Sequence, residues 1–376
     1  MIRHEHIADR PFIFESGAQI EHLKIVYHTS WNPAIQAAGP GAPDDAVHAS
    51  GRSSIQSDGQ AAGQADGHAE GKPGRRKVIW ICHALTANSD PSEWWPELVG
   101  PGKLLDTEKY HVVCVNMLGS AYGSSGPSSA DPATGRPYYF DFPETTVRDI
   151  VNANIAVRKH LGIGEIDFLI GSSIGGFQAL EWAIMEPETI RKAIFIACGP
   201  YATPWINAVN ESMRMALEAD RTFRQCADLN GGADGLRCAR SIGLLMYRSY
   251  DGYNRTQCEK DSGFMFASRA ASYQRYQGKK LSDRFDAYSY WYLCNSVDSH
   301  NVGRGRGGIE KALGTIKAEC TVVGIDSDNL FPTCEQRLIA GNIPGAEYHE
   351  ITSSFGHDGF LLENDQLSEI IAPMLP

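Results

Sequence analysis

The sequence predicts an α/β protein, with a mostly parallel, doubly wound sheet and a helical cap inserted between two of its strands. Short apolar runs of strand length recur along the chain, and amphipathic helical stretches separate them. One long segment without such runs interrupts the alternation. Because parallel strands buried on both faces are apolar throughout, they appear as continuous apolar runs rather than as alternating ones.

Five apolar runs predict the strands of the sheet. They are KVIWICHALT (77–86), YHVVCVNML (110–118), IDFLIGSS (166–173), KAIFIACG (192–199) and CTVVGID (320–326). TVRDIVNANIAVRKHLG (146–162) and GGFQALEWAIMEPETI (175–190) predict helices between them. Residues 12–29 alternate in a strand-like way around a Gly-containing turn, which predicts an opening antiparallel hairpin.

Two segments depart from this pattern. Residues 33–76 are rich in Gly, Ala, Ser, Asp and Gln and have almost no bulky apolar side chain, which predicts a disordered insertion because so little surface could be buried. Residues 201–316 contain helical, polar and aromatic stretches without apolar strands, and we interpret them as the cap. The predicted core therefore comprises residues 1–32, which hold the N-terminal hairpin, 77–200 and 317–376.

Composition limits the classes of function. The 376 residues are 42% hydrophobic and 21% charged, and no stretch approaches the roughly 18 apolar residues of a membrane span. The opening MIRHEHIADRPF lacks an apolar signal region, which predicts a cytoplasmic protein. The net charge of -11 argues against nucleic acid or an anionic membrane as the main partner. Nine cysteines without a CxxC pair, and the absence of a P-loop, GxGxxG or histidine ligand pattern in a supporting context, predict reduced thiols, no metal and no bound cofactor.

A nucleophile motif follows the third predicted strand. GSSIG at 171–175 matches G-x-S-x-G between an apolar strand and an amphipathic helix, the setting of a nucleophile elbow in an α/β-hydrolase fold. Ser173 is therefore the candidate nucleophile, with Ser172 as the alternative. The alternative is that the motif has no catalytic function and is only a Gly-rich strand-to-helix turn. Gly175 and Gly176 suit the crowding of such an elbow.

A serine nucleophile needs a base and an acid, which follow it in this fold in the order Ser, Asp, His. Asp328 comes just after the strand CTVVGID, and His357 lies in SSFGHDGF after the expected last strand EYHEI. Asp326 competes with Asp328 for the acid position. Either Asp could instead begin the following turn.

The developing oxyanion of acyl transfer needs backbone N–H donors. One usually comes from the residue after the nucleophile, here Ile174, and one from the loop after an early strand. That loop is HALTANSD, where we assign Leu85, with Thr86 as the alternative. The loop could also be a plain strand-to-helix turn.

Seven segments together resemble the homoserine O-acetyltransferases of the α/β-hydrolase type. They are CHALTANSD, NMLGSAYGSSGPSS, GSSIGGFQALEWAI, YQGKKLSDRFDAYSY, NVGRGRGG, SDNLFP and FGHDGF. The resemblance runs from Phe12 to the C-terminus and omits only the stretch between Asn32 and Arg76. Two details depart from the family, which usually has GGSMGG at the elbow and Gly where Ala87 follows HALT. These departures leave the acyl donor open, since relatives use succinyl-CoA or accept serine or a deacetylated antibiotic precursor.

The resemblance implies a ping-pong acetyl transfer in methionine biosynthesis. Ser173 would take the acetyl group from acetyl-CoA and pass it to the hydroxyl of L-homoserine, with His357 as the base that Asp328 orients. The cap would exclude water from the acyl-enzyme. The family also implies a homodimer formed through the cap helices.

The resemblance also implies how the amino acid is held. The family pattern GLxxARxxxxxxYR matches residues 235–248 and points to Arg240 as the clamp for the homoserine carboxylate. Asp358 would take the ammonium group. Alternatively, Arg240 pairs with a carboxylate of the cap, and Asp358 caps the helix that begins near Gly359.

Two other functions are compatible with the sequence. A serine esterase uses the same triad whenever water reaches the acyl-enzyme. A hydrolase-like scaffold without catalytic function could bind partners, although every member of its triad is present.

Overall fold

The computed structural model describes residues 1–31, 76–261, 263 and 265–376. Within them, eight strands form one sheet in the order β1-β2-β4-β3-β5-β6-β7-β8. The strands are β1 (Ile2–Ile7), β2 (Lys24–Thr29), β3 (Val78–Cys82), β4 (His111–Val115), β5 (Phe168–Ser172), β6 (Lys192–Ile196), β7 (Glu319–Ile325) and β8 (Glu347–Ile351). β2 pairs antiparallel with both β1 and β4, and every other pairing is parallel. The predicted α/β-hydrolase fold is confirmed.

The N-terminal region differs from the predicted hairpin. Phe12–Ile13 pairs with Gln19–Ile20 over two residues only, while Lys24–Thr29 leaves this small ladder and pairs with β1. The sequence did not indicate β1 because IRHEHI is an edge strand with mostly polar side chains. The predicted insertion at 33–76 lies, apart from Arg76, outside the described residues.

Twelve helices accompany the sheet in the described part of the chain. In chain order they are α1 (Pro91–Trp94), α2 (Val147–His160), α3 (Ile174–Met185), α4 (Pro204–Glu218), α5 (Ala233–Tyr247), α6 (Tyr250–Gln257), α7 (Arg269–Ser282), α8 (Ala287–Asp298), α9 (Ile309–Leu313), α10 (Thr333–Asn342), α11 (Gly359–Leu362) and α12 (Asn364–Ile371). Helices α4 to α9 lie between β6 and β7, where the sequence predicted the cap. Among the described residues, no helix has the length and apolar character needed to cross a bilayer.

Several helices and strands end earlier than predicted, and the reasons are local. α3 ends at Met185 instead of continuing to Ile190, because Glu186 precedes a proline and adopts a non-helical backbone with φ -131° and ψ 65°. β3 ends at Cys82, and the four residues His83 to Thr86 belong to the loop that follows it.

The core has an apolar layer on each face of the sheet. Along β3, Trp80 joins one layer, and Ile79 and Ile81 join the other, as the twofold alternation of a strand requires. Trp80 packs edge to face on Trp182 of α3, with ring centroids 5.0 Å apart. Since each fully buried large apolar side chain stabilises the fold by about 1.5–3 kcal/mol, this packing fixes α3 against the sheet.

The NVGRGRGG segment binds the helix that follows the candidate nucleophile. The buried carboxylate of Glu181 in α3 accepts from Arg148 Nε at 2.9 Å and from Arg306 Nη1 at 2.9 Å. Arg304 pairs with Glu15 at 2.7 Å. A buried carboxylate is tolerated when cations and hydrogen bonds satisfy it. Arg306 of this motif therefore has a structural function at α3, and Arg304 has one at Glu15.

Candidate active site

Ser173 occupies a strained turn between β5 and α3. Its backbone has φ 56° and ψ -128°, a conformation that residues other than glycine rarely adopt. The flanking glycines are required by close backbone approach: a Cβ at Gly171 would lie 2.1 Å from Gly175 O, and one at Gly175 would lie 2.1 Å from Cys82 O. The spacing of the motif therefore follows from the tightness of the turn.

The three predicted triad residues meet in one hydrogen-bonded chain. His357 Nε2 lies 2.9 Å from Ser173 Oγ, and His357 Nδ1 lies 2.7 Å from Asp328 Oδ2. Asp328 is itself fixed, because its Oδ1 accepts the backbone N–H groups of Leu330 at 2.8 Å and Phe331 at 3.0 Å. The carboxylate accepts the hydrogen bond of Nδ1–H, which leaves Nε2 free to accept from the serine hydroxyl.

The rival residues lie elsewhere. Asp326 Oδ1 accepts from the backbone N–H of Ser353 at 3.0 Å and so braces the loop after β8. Ser172 is a buried strand residue whose Oγ has no hydrogen-bond partner among the described residues. Among the residues that the structure describes, neither the Asp326 nor the Ser172 side chain forms a hydrogen bond to His357.

The surroundings of His357 set its basicity. Burial by itself lowers the pKa of this imidazole, but the charge of Asp328, the hydrogen bond to it and the charge of Asp358 together raise the pKa above its ordinary value. A histidine with a raised pKa accepts the serine proton readily once it is neutral.

The two predicted oxyanion donors come from different segments of the chain, α3 and the loop after β3. Ile174 is the first residue of α3, so its N–H has no acceptor within the helix. Leu85 lies in the loop after β3. Its N–H donates to no backbone carbonyl in the turns and loops that the structure describes. Both residues line the same cavity as Ser173.

His83 is a buried polar residue of this loop that the sequence did not single out. Its Nε2 lies 3.2 Å from the backbone N of Met117, and its Nδ1 lies 2.9 Å from Ala84 O. Burial lowers the pKa of His83 to about 4, so the ring is neutral near pH 7. A histidine directly after an apolar strand, as the first residue of the candidate oxyanion loop, was the signal in the sequence.

A cavity of about 500 Å³ opens beside Ser173. Its inner wall is mainly apolar and includes Phe177, Ile206, Val209, Val297 and Phe331. Its exposed lining residues are Glu93, Lys280 and Arg284, which therefore form the rim. The lining residues come from both the core and the cap, so the cavity lies between them.

Arg240 and Asp358 line this cavity as well. The Arg240 guanidinium lies 5.4 Å from the ring centroid of Tyr247 and has no carboxylate partner among the described residues. Asp358 Oδ2 lies 2.9 Å from Arg248 Nε, and the Asp358 side chain makes no capping bond to α11. Burial raises the pKa of Asp358, although Arg248, Arg240 and His357 act in the opposite direction. Nothing in the sequence indicated the pairing of Asp358 with Arg248.

Comparisons with known proteins agree with this architecture. A family model described as the alpha/beta hydrolase fold matches residues 77–363. The homoserine O-acetyltransferase of Cyclobacterium marinum is 46% identical over 297 residues, which cover 78% of this chain and 83% of that protein.

Two solved structures share the fold at low sequence identity. Homoserine O-acetyltransferase from Bacillus anthracis has a TM-score of 0.81 at 20% identity and covers 99% of this chain and 97% of its own. Esterase E22 has a TM-score of 0.78 at 20% identity, with both chains covered completely. At this identity the two structures support the fold alone. Because the sequence match to the Cyclobacterium marinum protein is close and spans most of both chains, this chain belongs to the homoserine O-acetyltransferase family of α/β-hydrolase-fold acyltransferases.

Proposed function

We propose that this chain transfers an acetyl group from acetyl-CoA to the side-chain hydroxyl of L-homoserine, in the cytoplasm and as a step of methionine biosynthesis. One observation carries the proposal: a single cavity brings together the Ser173–His357–Asp328 chain, a guanidinium without a carboxylate partner among the described residues and a second carboxylate. These groups match a thioester carbonyl, an amino-acid carboxylate and an ammonium group.

The first half-reaction acylates the serine. Ser173 Oγ attacks the thioester carbonyl while His357 Nε2 takes the hydroxyl proton, and the carbonyl oxygen becomes an oxyanion held by the N–H groups of Ile174 and Leu85. The tetrahedral intermediate collapses, the C–S bond breaks, and His357 returns the proton to the departing thiolate. Free coenzyme A and acetyl-Ser173 result.

The second half-reaction transfers the acetyl group to the acceptor. The homoserine hydroxyl gives its proton to His357 and attacks the acyl carbonyl, and a second oxyanion forms at the same donors. Collapse breaks the bond to Ser173 Oγ, which recovers the proton from His357. Arg240 holds the homoserine carboxylate, and Asp358 holds the ammonium group while remaining paired with Arg248.

The charges of the cavity favour an acetyl over a succinyl donor. During the second half-reaction the acyl group and the amino acid occupy the cavity together. A succinyl group would bring a second carboxylate into a space with an apolar inner wall, while the guanidinium of Arg240 is already engaged by homoserine. An unpaired carboxylate in such a site is costly, whereas an acetyl methyl group is not.

The decisive experiment follows thiol release from acetyl-CoA with and without homoserine. The proposal predicts one equivalent of thiol per active site without an acceptor, and continuous turnover with homoserine. Continuous release that is indifferent to homoserine would indicate a serine esterase instead. Succinyl-CoA as donor and serine as acceptor, tested in the same assay, should both give much slower turnover.

Replacing Arg240 with Lys tests the carboxylate clamp. Because Lys cannot reproduce two parallel hydrogen bonds to a carboxylate, the change should weaken the homoserine half-reaction by about 2–4 kcal/mol. Stopped-flow thiol release should show acylation of Ser173 comparatively intact. Arg237→Lys on the same helix is the matched control, since Arg237 pairs with Asp234 outside the cavity. Equal damage to both half-reactions would instead make Arg240 a structural residue.

Replacing Lys280 with Ala tests whether the rim attracts the phosphates of coenzyme A. Lys280 is exposed and lines the cavity, whereas its neighbour Lys279 is paired with Asp283. Loss of one exposed charge contact is worth about 1 kcal/mol, so the KM for acetyl-CoA should rise about 5-fold. The KM for acetyl-pantetheine, which lacks the nucleotide phosphates, should not change. Lys279→Ala is the control, and an equal effect in both variants would contradict a specific contact.

The proposal includes a homodimer formed through the cap. Large apolar side chains are exposed there, among them Tyr250 at 80%, Met265 at 88% and Phe266 at 82%. Large exposed apolar side chains can contribute to a surface that another protein covers. Sedimentation equilibrium at micromolar concentration should give twice the mass of 41.1 kDa, and a monomer would contradict this part of the proposal.

A further inference from the structure

We propose that His83 is a positioning residue of the oxyanion hole: its Nδ1–H fixes the peptide group between Ala84 and Leu85 so that the Leu85 N–H faces Ser173. The inference rests on the proposed acyl-enzyme chemistry but concerns only the formation of the oxyanion. It assigns a task to a buried imidazole that the triad mechanism does not use.

The direction of the two ring hydrogen bonds identifies the tautomer. Met117 N is a backbone amide and can only donate, so His83 Nε2, at 3.2 Å, must accept. Ala84 O is a carbonyl and can only accept, so His83 Nδ1, at 2.9 Å, must carry the proton. The ring is fully buried, which favours the neutral form that both bonds require. The imidazole therefore connects the chain just after β4 to the loop after β3 through one fixed orientation.

The hydrogen bond from His83 to Ala84 O also fixes the direction of the Leu85 N–H, because both groups belong to the same peptide. Ala84 C=O and Leu85 N–H belong to one planar trans peptide and point in opposite directions. Ala84 O also accepts the Ala87 N–H at 3.0 Å, so two donors fix the direction of this carbonyl. The Leu85 N–H is then directed to the opposite side, and Leu85 lines the cavity with Ser173.

The same bonds strengthen the donor. A carbonyl that accepts hydrogen bonds withdraws electron density from its amide nitrogen, so donors to Ala84 O make the Leu85 N–H more acidic. Loss of the His83 bond would therefore both loosen and weaken one of the two oxyanion donors. Removal of a whole oxyanion donor costs about 10²- to 10³-fold in kcat, and a loosened one should cost less.

Two isosteric substitutions separate the two ring nitrogens. In His83→Asn the amide nitrogen can occupy the Nδ1 position and donate to Ala84 O, while the contact with Met117 is lost. In His83→Gln the amide oxygen can occupy the Nε2 position and accept from Met117 N–H, while the donor to Ala84 O is lost. Both replace a buried ring by a less bulky polar side chain, so a purely structural function would predict comparable losses, or a milder effect for the longer Gln.

The experiment measures acylation by p-nitrophenyl acetate and by acetyl-CoA, together with inhibition by a trifluoromethyl ketone, whose adduct with Ser173 carries the oxyanion charge. His83→Gln should lower the acylation rate about 10- to 100-fold and raise the inhibition constant by the same factor, with the KM for the donor nearly unchanged. His83→Asn should recover most of both losses. Circular dichroism and melting curves establish that each variant is folded.

Several results would overturn the inference. These are equal rates in the Asn and Gln variants, a Gln variant with the wild-type rate, or a loss of rate without weaker binding of the ketone. If the Gln variant fails to fold, the Asn variant still decides, since it must retain ketone binding close to that of the wild type. The assay needs no homoserine, so a failure of the proposed acceptor is seen separately, in the thiol-release assay with homoserine.

Discussion

Replacing Ser173 with Ala should lower kcat by about 10⁴-fold or more and abolish the burst of thiol from acetyl-CoA. His357 forms its hydrogen bond to the Ser173 hydroxyl at 2.9 Å, so the base activates this group. Without the hydroxyl, the variant has no activated nucleophile to carry the acetyl unit. The fold should persist, since alanine keeps the Cβ and leaves the backbone strain at φ 56° unchanged. Quenched-flow thiol detection and a melting curve measure the two expectations.

Ser172→Ala is the matched control for this prediction. Its hydroxyl is buried in β5 without a hydrogen-bond partner among the described residues, so its removal should leave the burst intact. A burst that survives in the Ser173 variant and disappears in the Ser172 variant would show that Ser172 is the nucleophile.

Replacing Asp328 with Asn should lower kcat by about 10³- to 10⁴-fold, because the amide no longer holds the Nδ1 proton or stabilises the imidazolium. The measurement is the rate of acylation by acetyl-CoA in single turnover. Asp326→Asn is the matched control, since Asp326 accepts a backbone N–H from Ser353 and makes no hydrogen bond to His357 among the described residues. A larger loss in the control would make Asp326 the acid of the triad.

The Asp328→Asn variant also makes a prediction about pH. Acylation needs neutral His357, so the rate is lost as the pH falls through the pKa of this imidazole. In the wild type this pKa is raised, and the acid limb of the rate profile should lie above the ordinary value of about 6.5. The amide of the variant supplies no charge, so burial should dominate and move the residual acid limb to lower pH. A limb that stays in place would show that Asp328 does not set the basicity.

The sequence was sufficient where a property depends on neighbouring residues. The spacing of glycines around Ser173 follows from a backbone that leaves no room for a Cβ at Gly171 or Gly175, and such sterics are local. The apolar runs indicated the parallel strands because burial on both faces removes polar positions. β1 escaped prediction because an edge strand keeps polar side chains in solvent.

The sequence by itself determined the fold class, the order of the segments that supply Ser173, Asp328 and His357, and, through resemblance, the family. Only the tertiary structure decided which of two aspartates reaches the imidazole, that Asp358 is paired with Arg248, and that His83 bridges Met117 and Ala84. Hydrogen bonds and ion pairs depend on distances and angles between groups far apart in the chain. Asp326 and Asp328 are two residues apart just after β7. Asp326 binds the backbone of the loop after β8, whereas Asp328 binds the imidazole of His357, and the packing of the sheet decides which of the two reaches the ring.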